Sequence, residues 1–215
     1  MVLTQLQAML SELYALDVAY DVDDFLVTDE RLADALDVDG RQLEEKLLIV
    51  EEHGEASIAL YVDAYVVERL RQNNPARQLC TDNLEDFWTA LEGVSHFLYY
   101  VWNAALEKSV TLMEMELQAE VDKFVVTAQL LRRQGGRLPA NLHRCLFDLP
   151  KFDDRLDAEE LARYRSANRY AGKYCMKLAP QLAAVPDPDP DALREELCRF
   201  YRLAQPGKIE HIEAA

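Results

Sequence analysis

Apolar side chains recur at Leu3, Leu6, Met9, Leu10, Leu13 and Leu16, the three-and-four spacing of a helix with one buried face. An irregular stretch follows from Val18 to Phe25, with Asp21, Asp23 and Asp24 clustered in it. Thr28 or Asp29 is placed to cap a short helix running to Leu36. The period then changes. Two β-rich runs, Lys46–Glu52 and Ala56–Val62, flank His53-Gly54-Glu55 and predict an antiparallel hairpin with a glycine turn. A lone hairpin is marginal in water, so this one is expected to pack on helices. Asp63 caps a further helix to Arg71, and Asn73-Asn74-Pro75 ends it, because proline disfavours helix in the residue before it.

The middle of the chain has the strongest pattern. A helix starting at Asp82 or Asn83 and reaching Glu107 carries Phe87, Leu91, Val94, Leu98, Val101 and Ala105 on one stripe. Ser109 or Thr111 caps the next helix, and Thr111 with Glu114 fits a capping box. Its stripe is Val110, Met113, Leu117, Val121, Phe124, Ala128 and Leu131, and Gly135-Gly136 stops it after Gln134. The short link at Lys108-Ser109 makes the two helices antiparallel neighbours. A short helix is expected within 139–146 and a long one from Asp157 to Leu178. The proline-rich stretch 185–190 reads as a stiff linker, Asp191 as the cap of a last helix, and Pro206-Gly207 as the start of a tail.

These elements predict a mainly α fold: a helical bundle-like domain with a central antiparallel helix pair and one small β-hairpin. We read 1–215 as a single domain, with an N-terminal portion over 1–75, a helical core over 82–182, the linker 185–190, and a C-terminal helix and tail over 191–215.

Charge divides the chain unequally. The net charge is −16, and residues 1–100 hold 6 basic against 21 acidic residues, whereas the remainder holds 17 and 18. So acidic a chain is a poor general binder of nucleic acid or anionic membranes, since phosphate contact needs Lys and Arg. No run approaches the 18 or more apolar residues of a membrane span, and the first residues lack the basic start of a signal peptide. Cys80, Cys145, Cys175 and Cys198 are far apart and form no Cys-x-x-Cys pair. Free thiols in a reducing, cytoplasmic setting are the expectation.

Two polar constellations stand out. Glu92 and His96, four apart, share a helix face with Tyr99, Tyr100 and Asn103, and aromatics on a polar face imply that the helix is covered on most sides. Glu116 and Glu120 flank the core stripe of the next helix. Counted from the turn, His96 and Glu120 fall at equal height, with Glu92 beside Phe124 and Glu116 beside Tyr100. Glu92, His96, Glu116 and Glu120 therefore form a candidate metal set for iron, manganese or zinc, with hard carboxylate oxygens and one imidazole. The same set is suited to acid–base work if buried. It does not match the Glu-x-x-His spacing of ferritin-type bundles, and the plainer alternative is a structural hydrogen-bonded pair. The second constellation is a basic ridge, Arg165, Arg169, Lys173 and Lys177, in a segment (125–185) with 11 basic and 6 acidic residues. Arg165, Arg169 and Lys173 are candidate ligands for a phosphate or carboxylate. The plainer alternative is that the ridge matches the acidic N-terminal half within the same chain.

No Gly-x-Ser-x-Gly elbow, phosphate loop or dinucleotide fingerprint occurs, which argues against the enzyme classes that carry them. Three functions follow in order. The first is a cytoplasmic interaction or accessory protein whose acidic surface meets a basic protein partner, or a homo-oligomer. The second is a helix-bundle metal protein using the Glu/His cluster. The third is an acidic mimic of nucleic acid. Direct nucleic-acid binding and membrane association are not expected.

Overall fold

A computed structural model describes residues 1–36, 43–52, 55–150, 156–184 and 189–214. In chain order the elements are α1 (Val2–Tyr14), β1 (Leu26–Val27), α2 (Glu30–Leu36), β2 (Glu45–Glu52), β3 (Glu55–Val62), α3 (Ala64–Gln72), α4 (Leu84–Ala104), α5 (Leu112–Arg133), α6 (Ala158–Ala183), α7 (Pro190–Tyr201) and α8 (Gln205–Glu213). The fold is mainly α with a small β element, as the hydrophobic periodicity predicts.

The hairpin forms in the expected place: Leu47 pairs with Leu60 and Ile49 with Ile58, antiparallel. Its predicted turn at His53-Gly54 lies outside the described residues, as does most of the 185–190 linker. A third strand was not foreseen. After a 3₁₀ turn at Val22–Asp24, Leu26 and Val27 lie parallel to Leu60 and Tyr61, giving the order β1-β3-β2. Two residues are too short to show a period of two, so this strand had no sequence signature.

The sheet packs on α4, with Leu60 and Val62 fully buried. Polar cross-links between α4 and α5 fix the antiparallel register. Trp88 donates to Thr127 (3.0 Å), Ser95 to Asp122 (2.6 Å) and Tyr99 to Glu114 (3.1 Å). Both helices are buried nearly all round; Phe87, Leu91, Val94 and Phe97 meet Leu117, Val121 and Phe124 in the core. The capping box at Thr111–Glu114 is present, and Gly135 takes the left-handed conformation (φ 77°) that ends α5.

Three boundaries shift. The expected helix within 139–146 is a π-type turn at Arg144–Asp148. The long helix from Asp157 continues past Leu178 to Ala183, carrying Pro180 inside it. Asp189, not Asp191, caps α7, accepting from the Ala192 N–H at 3.0 Å, with Pro190 at the first helical position, where its missing N–H costs nothing. The expected tail is also a helix. Pro206 and Gly207 open α8, and Lys208 and Ile212 from it are buried in the main core.

A carboxylate–imidazole cluster between the sheet and the helix pair

His96 sits at the centre of the candidate site, with its side chain 6% exposed. Glu116 Oε2 from α5 lies 3.6 Å from its Nε2, and Glu45 Oε1 from β2 lies 3.6 Å from its Nδ1. Glu92, one turn before His96 on α4, completes a group: one ligand atom from each of Glu92, His96 and Glu116 falls within 4.8 Å of the others. His96 Nε2 and Glu45 Oε2 are buried without any hydrogen-bond partner. Buried polar atoms are seldom left that way.

Glu45 was absent from the sequence-derived set. The signal was present in the strand, because a period of two puts Glu45 on the face of Leu47, and Leu47 packs on the main core. Gly93 lets it in. A Cβ there would stand 2.7 Å from Glu45 Oε2 and 3.0 Å from Leu60 Cδ1, so a glycine on α4 is what allows a strand carboxylate to lie against the helix between Glu92 and His96.

Glu120 does not join the ligand group. It turns to Lys123, whose ammonium stands 2.9 Å from Glu120 Oε1 and 2.5 Å from Glu92 Oε2. Lys123 was also missed, although it follows Glu116 and Glu120 along one helix face. A cavity of about 500 Å³ opens against Trp88, Glu92, Glu120, Lys123, Tyr164 and Asn168, so the cluster has an accessible side.

Burial and charge act in opposition here. Burial raises Glu45 and Glu120 above the usual carboxylate range, against the pull of His96 and of Lys123 respectively. Burial acts the same way on Glu92, but Lys123 and His96 outweigh it and hold Glu92 low. Burial would depress His96 and Lys123, and the carboxylates around each reverse this and raise both. Tyr164, from α6, is raised by burial and by the charges of Glu116, Glu92 and Glu45.

A second buried network occupies the opposite face of α5. Asp122 accepts from Ser95 Oγ (2.6 Å), Gln118 Nε2 (2.9 Å) and the Tyr14 hydroxyl. Lys208, fully buried, donates to Gln118 Oε1 (2.7 Å) and the Phe200 carbonyl (2.9 Å). Its ammonium lies 4.2 Å from the Phe200 ring centroid and 5.2 Å from that of Tyr99. Burial drives Lys208 down to about 7 and Asp122 up to about 6. The neighbouring Tyr201 hydroxyl is buried without a partner.

The basic ridge is not matched by the N-terminal half at its two lysines. Lys173 pairs with Glu213 of α8 at 2.7 Å, and Lys177 donates to the Ile212 carbonyl. The C-terminal end of α8 supplies the negative counterpart, through the Glu213 carboxylate and the Ile212 carbonyl. Arg165 and Arg169 are exposed, and Arg169 lies over the Tyr170 ring at 4.6 Å. All four cysteines are free thiols, and among the described residues no helix is long and apolar enough to cross a membrane.

This is a mainly helical protein in which one strand and two helices bring three carboxylates around a buried imidazole. No family model matches the chain, and no curated protein or solved structure is similar enough to count as a match.

Proposed function

We propose that the chain binds one divalent metal ion through Glu92, His96 Nε2 and Glu116, with Glu45 holding the other ring nitrogen. The observation that carries this reading is the buried His96 Nε2, which has no hydrogen-bond partner, on a ring with the Glu116 carboxylate facing Nε2 and that of Glu45 facing Nδ1. A ligating imidazole characteristically directs its second nitrogen to a carboxylate, the relation of Glu45 to Nδ1. Charge points the same way. Four carboxylates (Glu45, Glu92, Glu116, Glu120) face one ammonium and one imidazole. A divalent ion offsets the excess.

The competing account is a structural imidazolium clamped between Glu45 and Glu116. Such pairs close to about 2.7–2.9 Å, whereas both separations here are 3.6 Å. One nitrogen with two or three carboxylate ligands suits manganese, iron or zinc. Of the three ligand residues Glu92 borders the adjoining cavity, so the site is approached from the Glu92 side. The accessory-protein reading rests on the acidic surface and the lack of a catalytic motif, and the mimicry reading on the acidic charge.

Elemental mass spectrometry of tag-free protein tests the proposal. About one equivalent of metal in the natural chain, lost in His96→Ala while the circular dichroism spectrum is kept, is the expected result. No binding after incubation with Mn²⁺, Fe²⁺ or Zn²⁺ would overturn it.

A further inference from the structure

The carboxylate cluster offers two positions for a cation, and the chain fills one of them itself. The Lys123 ammonium lies between Glu92 and Glu120 at 2.5 and 2.9 Å, with its side chain 11% exposed. These are the separations of tight charge-assisted contacts. Glu92 is shared, since it also belongs to the group with His96 and Glu116. A carboxylate common to two cation positions, with a further carboxylate at each, is the ground plan of a two-ion centre.

We infer that Lys123 sets the nuclearity of the site: its ammonium holds the cluster to a single metal ion, and without it Glu92 and Glu120 accept a second. The inference rests on the metal reading above. Lys123, Glu92 and Glu120 all border the cavity, so water can complete the coordination of an ion there, as manganese requires. A lysine acting only as counter-charge makes a different prediction. Its removal leaves two buried carboxylates unbalanced and recruits no ion.

Mn²⁺ is the probe, counted by equilibrium dialysis and examined by electron paramagnetic resonance. The natural chain and Lys123→Arg are expected to hold about one Mn²⁺ each, with the signal of an isolated ion. Lys123→Met, which keeps the hydrocarbon stem, is expected to hold two and to show a spin-coupled pair. Adding Glu120→Gln to Lys123→Met returns the count to one. One Mn²⁺ in both the natural chain and Lys123→Met overturns this inference and leaves the metal reading standing. Two in the natural chain also overturns it. None in the natural chain removes the metal reading and this inference together. If Lys123→Met does not fold alone, thermal melts decide: folding restored by Mn²⁺ supports the second site, and a chain that stays unfolded in Mn²⁺ counts against it.

Discussion

The two faces of α5 present two ways of burying charge. On one, Asp122, Gln118 and Lys208 answer one another: both Asp122 oxygens accept, and Gln118 uses its oxygen and its nitrogen. On the other, Glu116 and Glu120 face a cluster in which His96 Nε2 and Glu45 Oε2 remain unanswered, and Glu92, Glu120 and Lys123 of that cluster border a cavity. The first is the deeper, with Gln118, Asp122 and Lys208 at most 1% exposed, whereas the Glu92 and Glu120 side chains are 21% and 19% exposed. A satisfied network needs nothing further and works as structure, whereas an incomplete one carries a desolvation cost that a ligand relieves. Incompleteness beside an opening, more than burial, is what distinguishes a site from a staple.

The sharpest way to break that contrast is to truncate one acid on each face. Asp122→Ala leaves Tyr14, Ser95 and Gln118 without their shared acceptor and Lys208 without its nearby counter-charge, and is expected to cost about 3–5 kcal/mol. Glu116→Ala removes one of several crowded carboxylates and is expected to cost less than about 1 kcal/mol in metal-free protein, since it relieves repulsion as it opens space. Urea denaturation of the two variants measures this. Equal costs would erase the distinction between the faces.

The pH dependence of stability sharpens it next. The Lys208 amine has a folded-state pKa of about 7, below the ordinary 10.5, with Asp122 and Glu114 the nearby acids opposing the shift. Between those values the unfolded chain holds a proton that the folded chain does not, so stability rises with pH across that window and is lost as pH falls through 7. Asp122, raised from 3.8 to about 6, works in the opposite sense, losing stability as pH rises through 6. The melting temperature of the natural chain, relative to Lys208→Met, is therefore expected to climb between pH 7 and pH 9. A parallel pair of curves would mean that Lys208 keeps its proton in the core.

The smallest effect comes from a single methyl group. Gly93→Ala improves helix propensity by about 1 kcal/mol but places a Cβ against Glu45 Oε2. Loss of a carboxylate that orients a ligating histidine typically weakens metal binding about 10–100-fold. Weaker Mn²⁺ binding with unchanged or higher thermal stability is the expected combination. Unaltered affinity would show that Glu45 has no part in the site.

Much of this was legible in the sequence. The stripes Phe87–Val101 and Leu117–Ala128, with the turn between them, place α4 antiparallel to α5, but the count from the turn sets Glu120 level with His96, whereas Glu116 is the residue that faces it and Glu120 turns to Lys123. Periodicity reports which residues share a face of one element; it does not report what a different element contributes. Glu45 lies just over fifty residues before His96, on a strand admitted by one glycine, and no local pattern joins the two. Lys123 shows the opposite limit. It lies on the same helix face, but an ammonium is not a metal ligand, so ligand chemistry does not single it out. α8 was missed because Pro206-Gly207 resembles a terminator, whereas proline is equally at home in a first helical turn.

Tyr14 stacks on Tyr201, their ring centroids 4.2 Å apart, and Arg202 donates to the Tyr14 carbonyl across a sequence separation of 188. The opening helix is thus sealed by the closing ones. Tyr14 is the one aromatic side chain of α1, and it lacks its stacking partner until α7 docks. Contacts between such distant parts of a chain close slowly, so the docking of α7 on α1 is expected to be a late step of folding.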